Sequence, residues 1–287
     1  MKTRFKPLSV LAGTLAGCLG IMAGAHAVSL ADVQKRGSIR IAVANEIPYG
    51  YMDMSGQAKG AGPDVAKAVM ERLGIKDITW ETANFGSLIP GLQAKRFDMV
   101  AAEMAILPQR CQQILFSEPN SSYGEGLLVA KGNPKNIHSY EDFAKTEHKI
   151  AIMAGADQLE MMQALGVPDS RMVTISNNAD AISTVATGRA DAYAATGLTV
   201  NDLASKSGGK TELAAEFKDP IINGNPVRSW GGFAFASDSQ DLRDAVNKEL
   251  AEFKKTDEWK AILANYGFTD EDAKHSFEKS TEQLCKG

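Results

Sequence analysis

Short apolar runs alternate with amphipathic stretches through the first part of the chain. Three runs have the length and apolar content of strands: IRIAV (39–43), ITWET (78–82) and DMVAAEM (98–104). Residues 63–74 predict a helix that Pro63 opens and Gly74 ends. Residues 87–96 predict a second helix, with Ser87 as its N-cap. This order predicts right-handed β-α-β units on a mostly parallel sheet.

The same alternation restarts near residue 149. The predicted strands are KIAIM (149–153), MVTIS (172–176) and ADAYAAT (190–196), and the predicted helices between them are DQLEMMQALG (157–166) and DAISTVATGR (180–189). The passage VATGRADAYAA (185–195) also resembles LQAKRFDMVAA (92–102), with Asp191 in the place of Asp98. Two similar α/β lobes explain this match, and the alternative is a common helix–turn–strand arrangement.

Turn-forming residues at 131–134 and 223–232 divide the pattern. After the second break, the chain predicts a strand at 232–237 and helices at 241–255 and 258–267. The expected division is a discontinuous first lobe of residues 28–130 and 231–287, and a second lobe of residues 131–230. Two α/β lobes joined by two crossings form a clamp that closes on a small molecule.

Residues 1–27 have the anatomy of a secretory signal peptide. Basic residues precede an apolar stretch that ends in AHA (25–27), a cleavage pattern of small residues, so we expect cleavage after Ala27 and a periplasmic protein. LAGC (15–18) also fits a lipoprotein-processing site. Lipid anchoring at Cys18 is the less favoured alternative, because the residues that follow stay apolar.

The charge and cysteine content narrow the possible partners. Removal of residues 1–27, which carry three basic residues and no acid, takes the net charge from −4 to −7. This acidity argues against nucleic acid or an anionic membrane as the main partner. We expect Cys111 and Cys285 to form a disulfide in an oxidising compartment. The remaining histidines lack metal-ligand spacing, so we expect no metal site and no cofactor.

Polar and aromatic residues cluster where three strands of the first lobe end. Glu46 and Tyr49 follow the first strand, and Phe85 follows the second. The segment from Glu103 to Arg110 follows the third strand. Open α/β sheets bind ligands at the carboxyl ends of their strands, so we expect these residues to face one cleft.

These residue types suit a zwitterion. The guanidinium of Arg110 can bind a carboxylate through two parallel hydrogen bonds, and acids with aromatic faces favour a cationic or quaternary nitrogen. Each residue also has a simpler interpretation. Arg110 can pair internally with Glu118 or Asp98, the aromatic residues can belong to the core, and the acids can be solvated.

A family resemblance rests on five motifs that follow the signal peptide in order: RIAVANEIPY, GAGPDVAKAVMERLG, FGSLIPGLQAKRFDMV, LPQR and FSEP. Together they resemble the family-3 periplasmic solute-binding proteins, which deliver amino acids and related solutes to ABC importers. The resemblance covers nearly all of the mature chain. It implies a two-lobed α/β fold, ABC permease subunits as membrane partners, and Arg110 as the group that binds the ligand's carboxylate.

Two positions depart from the pattern of that family. An acid at the end of the lobe-two strand often binds the α-amino group, and here Thr196 takes its place. A serine or threonine in the first loop of lobe two often helps to hold the carboxylate, whereas this loop is AGAD (154–157), with Asp157. Both departures argue against a standard α-amino acid as the ligand.

Within that family, the chain most resembles the ectoine- and hydroxyectoine-binding proteins. The support is ANE-P-aromatic (44–49), IPGLQA (89–94), P-x-R-C (108–111), NDL (201–203) and Leu-Cys (284–285). This resemblance implies a set of ligand contacts: Glu46, Tyr49, Phe85 and Arg110. Ala105 replaces an expected pocket aromatic and Asp157 replaces a threonine, which favours a bulkier or more cationic ligand. Trp230 or Tyr193 can supply the missing ring.

A transport protein that binds a small zwitterionic or cationic solute as a monomer is the leading interpretation. The alternative is a periplasmic cyclohexadienyl or arogenate dehydratase on the same fold. Such an enzyme needs a general acid with a pKa raised by burial, for which Glu46, Glu103 and Asp157 are candidates. A sensory module is a third class, disfavoured because the sequence has no second transmembrane segment or signalling domain.

Overall fold

The computed structural model describes residues 28–287, and the expected signal peptide, with Cys18, lies outside the described residues. The strands are β1 (Ser38–Val43), β2 (Tyr51–Met52), β3 (Ala58–Lys59), β4 (Asp77–Thr82), β5 (Met99–Ala105), β6 (Ile114–Phe116), β7 (Ser121–Tyr123), β8 (Glu125–Ala130), β9 (Ile150–Met153), β10 (Met172–Ile175), β11 (Ala192–Thr196), β12 (Thr211–Leu213), β13 (Ile221–Ile222), β14 (Asn225–Pro226) and β15 (Ser229–Ala236). The helices are α1 (Leu30–Arg36), α2 (Ala61–Arg72), α3 (Leu88–Gln93), α4 (Pro108–Cys111), α5 (Glu141–Lys145), α6 (Gln158–Ala164), α7 (Ala179–Ala186), α8 (Gly197–Lys206), α9 (Gln240–Phe253), α10 (Asp257–Asn265), α11 (Asp270–His275) and α12 (Thr281–Lys286).

The first sheet has the strand order β4-β1-β5-β15-β6, and β7 also pairs with β15. Strand β1 runs parallel to β4 and β5, whereas β15 is antiparallel to β5, β6 and β7. Both faces of β5 are buried, with Met99 and Ala101 in one apolar cluster and Val100 and Met104 in another. Helices therefore cover this sheet on both sides, as expected for a strand that is apolar throughout.

The second sheet has the strand order β10-β9-β11-β8-β12. Strands β10, β9 and β11 are parallel, and β8 and β12 are antiparallel to their neighbours. Residues 125–130, which precede the expected crossover turn, are a strand of this second sheet. The chain therefore passes between the sheets near Gly124 and returns between β14 and β15.

The sequence match between residues 92–102 and 185–195 corresponds to one local structure built twice. Asp98 N donates to Arg40 O, and Asp98 Oδ2 accepts from Arg40 N at 2.9 Å, at the start of β1. Asp191 N donates to Lys149 O, and Asp191 Oδ2 accepts from Lys149 N at 2.8 Å, ahead of β9. Asp98 thus joins the start of β5 to the parallel strand β1, and Asp191 joins the start of β11 to the parallel strand β9 in the same way.

Helix α2 begins two residues earlier than the sequence predicts. Its N-cap is Gly60, with φ of 124°, and Pro63 is the third helical residue rather than the first. Gly62 allows this because a Cβ there would lie 2.8 Å from the carbonyl oxygen of Ala101. Gly74 follows the helix with φ of 75°, the left-handed conformation expected of a C-terminal glycine.

Ser87 occupies the N-cap position of α3 without the expected capping bond. A 3-10 turn over Phe85–Ser87 leads directly into the helix, and Ser87 has φ of −98° and ψ of −2°. A capping side chain needs an extended backbone at this position, so the Ser87 hydroxyl makes no capping hydrogen bond.

Two further expectations concern the ends of the fold. A disulfide joins Cys111 to Cys285 with a Cα–Cα distance of 5.6 Å, as predicted, and it ties α12 to α4. Across residues 28–287, every helix is too short or too polar to cross a membrane.

Candidate functional site

A cavity lies between the two sheets, with about 380 Å³ of space free of protein atoms including its open mouth. Loops and strand ends of both sheets line it. Seven residues singled out by the sequence come together there: Glu46, Tyr49, Phe85, Glu103, Ala105, Asp157 and Thr196. The structure therefore collects residues separated by up to 150 positions at one narrow site, whose enclosed space is about 30 Å³.

Arg110 is buried in the short helix α4 and is not among the residues that line the cavity, but it contacts the lining residues Ala105 and Phe85. Its Nη1 donates to Ala105 O at 2.9 Å, and its Nη2 donates to Gly155 O, across the cleft, at 2.8 Å. The guanidinium carbon lies 5.5 Å from the centre of the Phe85 ring. Two backbone carbonyls and one ring face thus fix the orientation of the guanidinium.

Neither internal carboxylate partner considered for Arg110 binds it. Asp98 instead forms ion pairs with Arg36 and Arg40 at the far end of its strand. Glu118 accepts a hydrogen bond from the backbone N–H of Thr281 at 3.0 Å. Over the described part of the chain, Arg110 has no ion pair with a protein carboxylate.

Glu103 is a buried acid whose oxygens already have partners in the first lobe. Its Oε1 accepts from Asn120 Nδ2 at 2.6 Å, and its Oε2 accepts from the Ser121 hydroxyl. The Tyr123 hydroxyl donates to the Glu103 carbonyl oxygen at 2.7 Å and so fixes the backbone, which has φ of 48°. Burial raises the pKa of the Glu103 carboxyl, and the two side-chain hydrogen bonds oppose that rise.

Glu46 joins the two lobes through a chain of hydroxyl groups. Thr196 Oγ1 donates to Thr199 Oγ1 at 3.0 Å, and Thr199 Oγ1 donates to Glu46 Oε1 at 3.0 Å. Thr196 is also the N-cap of α8, which places Thr199 on the first turn of that helix. Burial is the main cause that raises the pKa of Glu46, and the negative charge of Asp157 adds to it.

Two further acids, Asp157 and Glu125, are buried on the side of the second lobe. Asp157 Oδ2 accepts from the Ser229 hydroxyl of β15 at 3.1 Å. Glu125 Oε2 accepts from Gln158 Nε2 at 2.7 Å and from the Tyr140 hydroxyl at 3.1 Å. Burial, followed by the charge of Asp157, raises the pKa of Glu125 well above its ordinary value.

Four aromatic residues line the cavity: Tyr49, Phe85, Tyr123 and Tyr193. The Tyr49 and Tyr123 rings meet edge to face, with 5.0 Å between their centres. Of the two rings considered as substitutes for the aromatic that Ala105 lacks, Tyr193 lies at the cavity. Trp230 does not line the cavity, and its Nε1 donates to His275 O at 2.8 Å.

Several residues at the site are missed by sequence reasoning. Tyr123 and Gln158 line the cavity, and Thr199 and Glu125 bind residues that line it. Gln158 follows Asp157 directly, which is a local signal. The others carry none, because Tyr123 is placed by the pairing of β7 with β15, and Glu125 and Thr199 by the packing of α8 on β8 in the second lobe.

The sequence and the fold are similar to those of known proteins. Residues 39–269 match the model of the bacterial extracellular solute-binding proteins, family 3. A probable amino-acid ABC transporter periplasmic-binding protein of Sinorhizobium fredii is 56% identical over 98% of this chain and 95% of its own length. The lysine/arginine/ornithine-binding periplasmic protein of Escherichia coli is 28% identical over 76% of this chain and 83% of its own length.

Among solved structures, EhuB in complex with hydroxyectoine is similar, with a TM-score of 0.80 and 33% identity. The match covers 89% of this chain and 97% of that chain. The predicted two-lobed α/β fold is confirmed by this similarity together with the two helix-flanked sheets.

Proposed function

Because the chain belongs to family 3 of the bacterial extracellular solute-binding proteins, we propose that it captures an amino-acid-like solute in this cleft for an ABC importer. Proteins of this kind bind small amino-acid-like ligands and deliver them to ABC permease subunits in the membrane. The curated relatives are named as binding proteins of transporters, so the dehydratase alternative is not favoured.

The observation that carries the proposal is the setting of Arg110. Its guanidinium is buried, fixed by two carbonyl groups and a ring, and without an ion pair to a protein carboxylate within residues 28–287. A guanidinium held in this way is ready to bind a carboxylate with two hydrogen bonds. We assign to Arg110 the carboxylate of the solute.

We assign the other end of the solute to acids and aromatic faces. Tyr49 and Phe85 offer ring faces to a positively charged nitrogen, and Asp157 offers a carboxylate from the opposite lobe. Glu46 serves a second purpose, because its bond to Thr199 exists only when the lobes approach each other. Ala105 widens the cavity beside Arg110, and Thr196 supports the hydroxyl chain that reaches Glu46.

We further propose how the chain is divided and where it acts. Each sheet with its helices forms one lobe, and the two crossings near Gly124 and between β14 and β15 form the hinge. The family is extracellular or periplasmic. Cleavage after Ala27 would release the mature protein into the periplasm, in agreement with the sequence of residues 1–27.

A thermal-shift screen followed by chemical recovery tests this function. The panel contains ectoine, hydroxyectoine, glycine betaine, arginine, lysine and glutamine. At 100 times its dissociation constant, a true ligand stabilises the folded protein by about 2.7 kcal/mol, and it should be recovered unchanged. Absence of binding across the panel, or formation of product from prephenate or arogenate, would contradict the proposal.

A further inference from the structure

The acids around the cavity outnumber the basic groups. Glu46, Glu103 and Asp157 line it, and Glu125 lies behind Gln158. Within the described chain, Arg110 is the one basic side chain that contacts a carbonyl group or a ring of the residues lining the cavity. A neutral zwitterion brings one positive and one negative group and so leaves this excess of acid uncompensated.

Lys254 acts on Glu103 and not on Glu125. The charges of Lys254 and Glu103 stabilise each other, whereas the groups that act most on Glu125 include no lysine. The Nζ of Lys254 donates to Pro119 O at 2.7 Å and to Ser276 O at 3.0 Å, and none of these three residues lines the cavity. Burial lowers the pKa of Lys254 to about 8, while the charges of Glu118 and Glu103 oppose this. Its charge is therefore partly lost in mildly alkaline conditions and is committed to backbone carbonyls otherwise.

We propose that the cleft selects a solute with a net positive charge, whose additional ammonium or guanidinium group lies against Asp157, with Glu125 as the next acid behind the lining. This inference rests on the proposed function and specifies the class of its solute. The carboxylate of the solute remains with Arg110. The second cationic group then meets the acids of the second lobe.

Hydrogen-bond accounting locates the cationic site. Both carboxylate oxygens of Glu103 have side-chain donors, and Glu46 Oε1 has Thr199. Glu125 Oε1 is buried and has no hydrogen-bond partner among residues 28–287. Asp157 has one side-chain donor, the Ser229 hydroxyl. Among these acids, Glu125 therefore has the buried oxygen without a partner in the described chain, and Asp157 is the neighbouring acid whose charge acts on it.

Tyr49 provides a second, independent sign of a ligand. It lines the cavity and is 2% exposed, and its hydroxyl makes no hydrogen bond of good geometry in the described structure, although Thr196 is close enough to affect its pKa. The nearby charges of Glu46, Glu125 and Glu103 all act on this hydroxyl. An unpartnered buried hydroxyl among carboxylates is suited to a polar group of a ligand.

The occupant is an organic cation rather than a metal ion. No group of three His, Cys, Asp or Glu side chains within residues 28–287 has an arrangement that can hold a metal. The lining also contains four aromatic rings, which favour ammonium and guanidinium groups but contribute no metal ligand. The groups that face Glu125 are Tyr140, Gln158, Asp157 and Asp219, and none of them is basic.

Isothermal titration at neutral pH with matched solute pairs tests this selection. Arginine is compared with citrulline, and lysine with Nε-acetyl-lysine, since each pair differs in one positive charge. The cationic member should bind more tightly by about tenfold or more, the ratio expected of one charge-assisted hydrogen bond. Equal affinities within each pair, or binding of ectoine alone, would overturn the inference and leave the proposed function intact.

Two variants assign the effect to the acids. Glu125→Gln and Asp157→Asn should each reduce the ratio of arginine to citrulline affinity toward one. Glu212→Gln is the control, because Glu212 is an acid of the second lobe that pairs with Lys131 at the surface. Urea unfolding shows whether each variant is folded. Unchanged ratios in folded Glu125→Gln and Asp157→Asn would contradict the assigned site, and failure of the whole panel to bind would contradict the proposed function itself.

Discussion

Gly86 and Gly155 meet backbone to backbone across the cleft. A Cβ on Gly155 would lie 2.8 Å from the Cα of Gly86, closer than such atoms approach in proteins. Gly155 also supplies the carbonyl that accepts from Arg110 Nη2 at 2.8 Å. Closure of the lobes and the orientation of the arginine are therefore coupled at one residue.

The first prediction is that Gly155→Ala weakens solute binding by preventing full closure. The added methyl group meets Gly86, and the φ of 81° at Gly155 adds about 1–2 kcal/mol of strain for a residue with a side chain. We expect a larger dissociation constant by calorimetry and a larger radius of gyration with solute by X-ray scattering.

Gly166→Ala is the matched control for this variant. Gly166 has φ of 82°, and a Cβ there meets nothing within 4 Å. It should lower the free energy of unfolding to a similar extent and leave the dissociation constant unchanged. Equal effects of the two variants on affinity would rule out the steric contact as the cause.

The second prediction concerns the hydroxyl of Thr199. Thr199→Val removes the hydroxyl that donates to Glu46 Oε1. Because this hydrogen bond forms only when the two lobes are close together, its loss destabilises the closed form relative to the open form. A hydrogen bond to a charged group contributes about 1.5–3 kcal/mol, so the dissociation constant should rise by about tenfold or more.

Thr184→Val is the control for Thr199→Val. Both threonines are 1% exposed, but Thr184 Oγ1 has no hydrogen-bond partner in the described chain. Its replacement should leave affinity unchanged and should not lower the stability. If Thr184→Val weakened binding as much as Thr199→Val, the bond between the lobes would not be the cause.

The third prediction is that Arg110→Lys weakens binding of carboxylate solutes by about 30-fold or more. An ammonium group cannot donate to Ala105 O and Gly155 O and also present a planar pair of donors to a carboxylate. Arg171→Lys is the control, since Arg171 Nη1 donates to Phe143 O at 2.9 Å within the second lobe. Comparable affinity of Arg110→Lys and the native protein in calorimetry would refute the carboxylate assignment.

Local patterns account for the parts of this fold that the sequence predicts well. Asp98 and Asp191 each anchor a strand that starts beside them, with partners fixed by the helix–turn–strand geometry of a few residues. Strands β1, β4 and β5 lie within one residue of their expected bounds for the same reason. Periodicity and turn chemistry over short distances are sufficient here.

The acid Glu125 shows why part of the site is not predictable from the sequence. It follows Gly124 at a crossing between the lobes, where an acid is solvated by default. Its burial depends on Tyr140 and Gln158, which come 15 and 33 residues later and meet it only in the assembled second lobe. The partners of Arg110 are hidden for another reason, because they are backbone carbonyls and carry no side-chain signal.

The fourth prediction is a pH dependence of stability that arises from Lys254. Burial lowers its pKa from 10.5 in the unfolded chain to about 8 in the folded protein. Between these values the unfolded state binds more protons, so the free energy of unfolding rises with pH, by about 1.5 kcal/mol from pH 8 to 9.5. The penalty of the buried charge is fully present below pH 8.

Urea unfolding at pH 8 and 9.5 measures this effect as the difference between the native protein and Lys254→Met. Buried tyrosines such as Tyr49 and Tyr140, whose pKa values lie well above 10, act in the opposite direction but are common to both proteins and cancel.

Lys255→Met is the control, because Lys255 is 65% exposed and pairs with Glu252. Lys255→Met should keep the native rise of stability with pH, and Lys254→Met should lose it. Parallel pH dependence in the native protein and Lys254→Met would mean that Lys254 stays protonated through this range, and the buried charge would then be stabilised by its two carbonyl partners rather than opposed by desolvation.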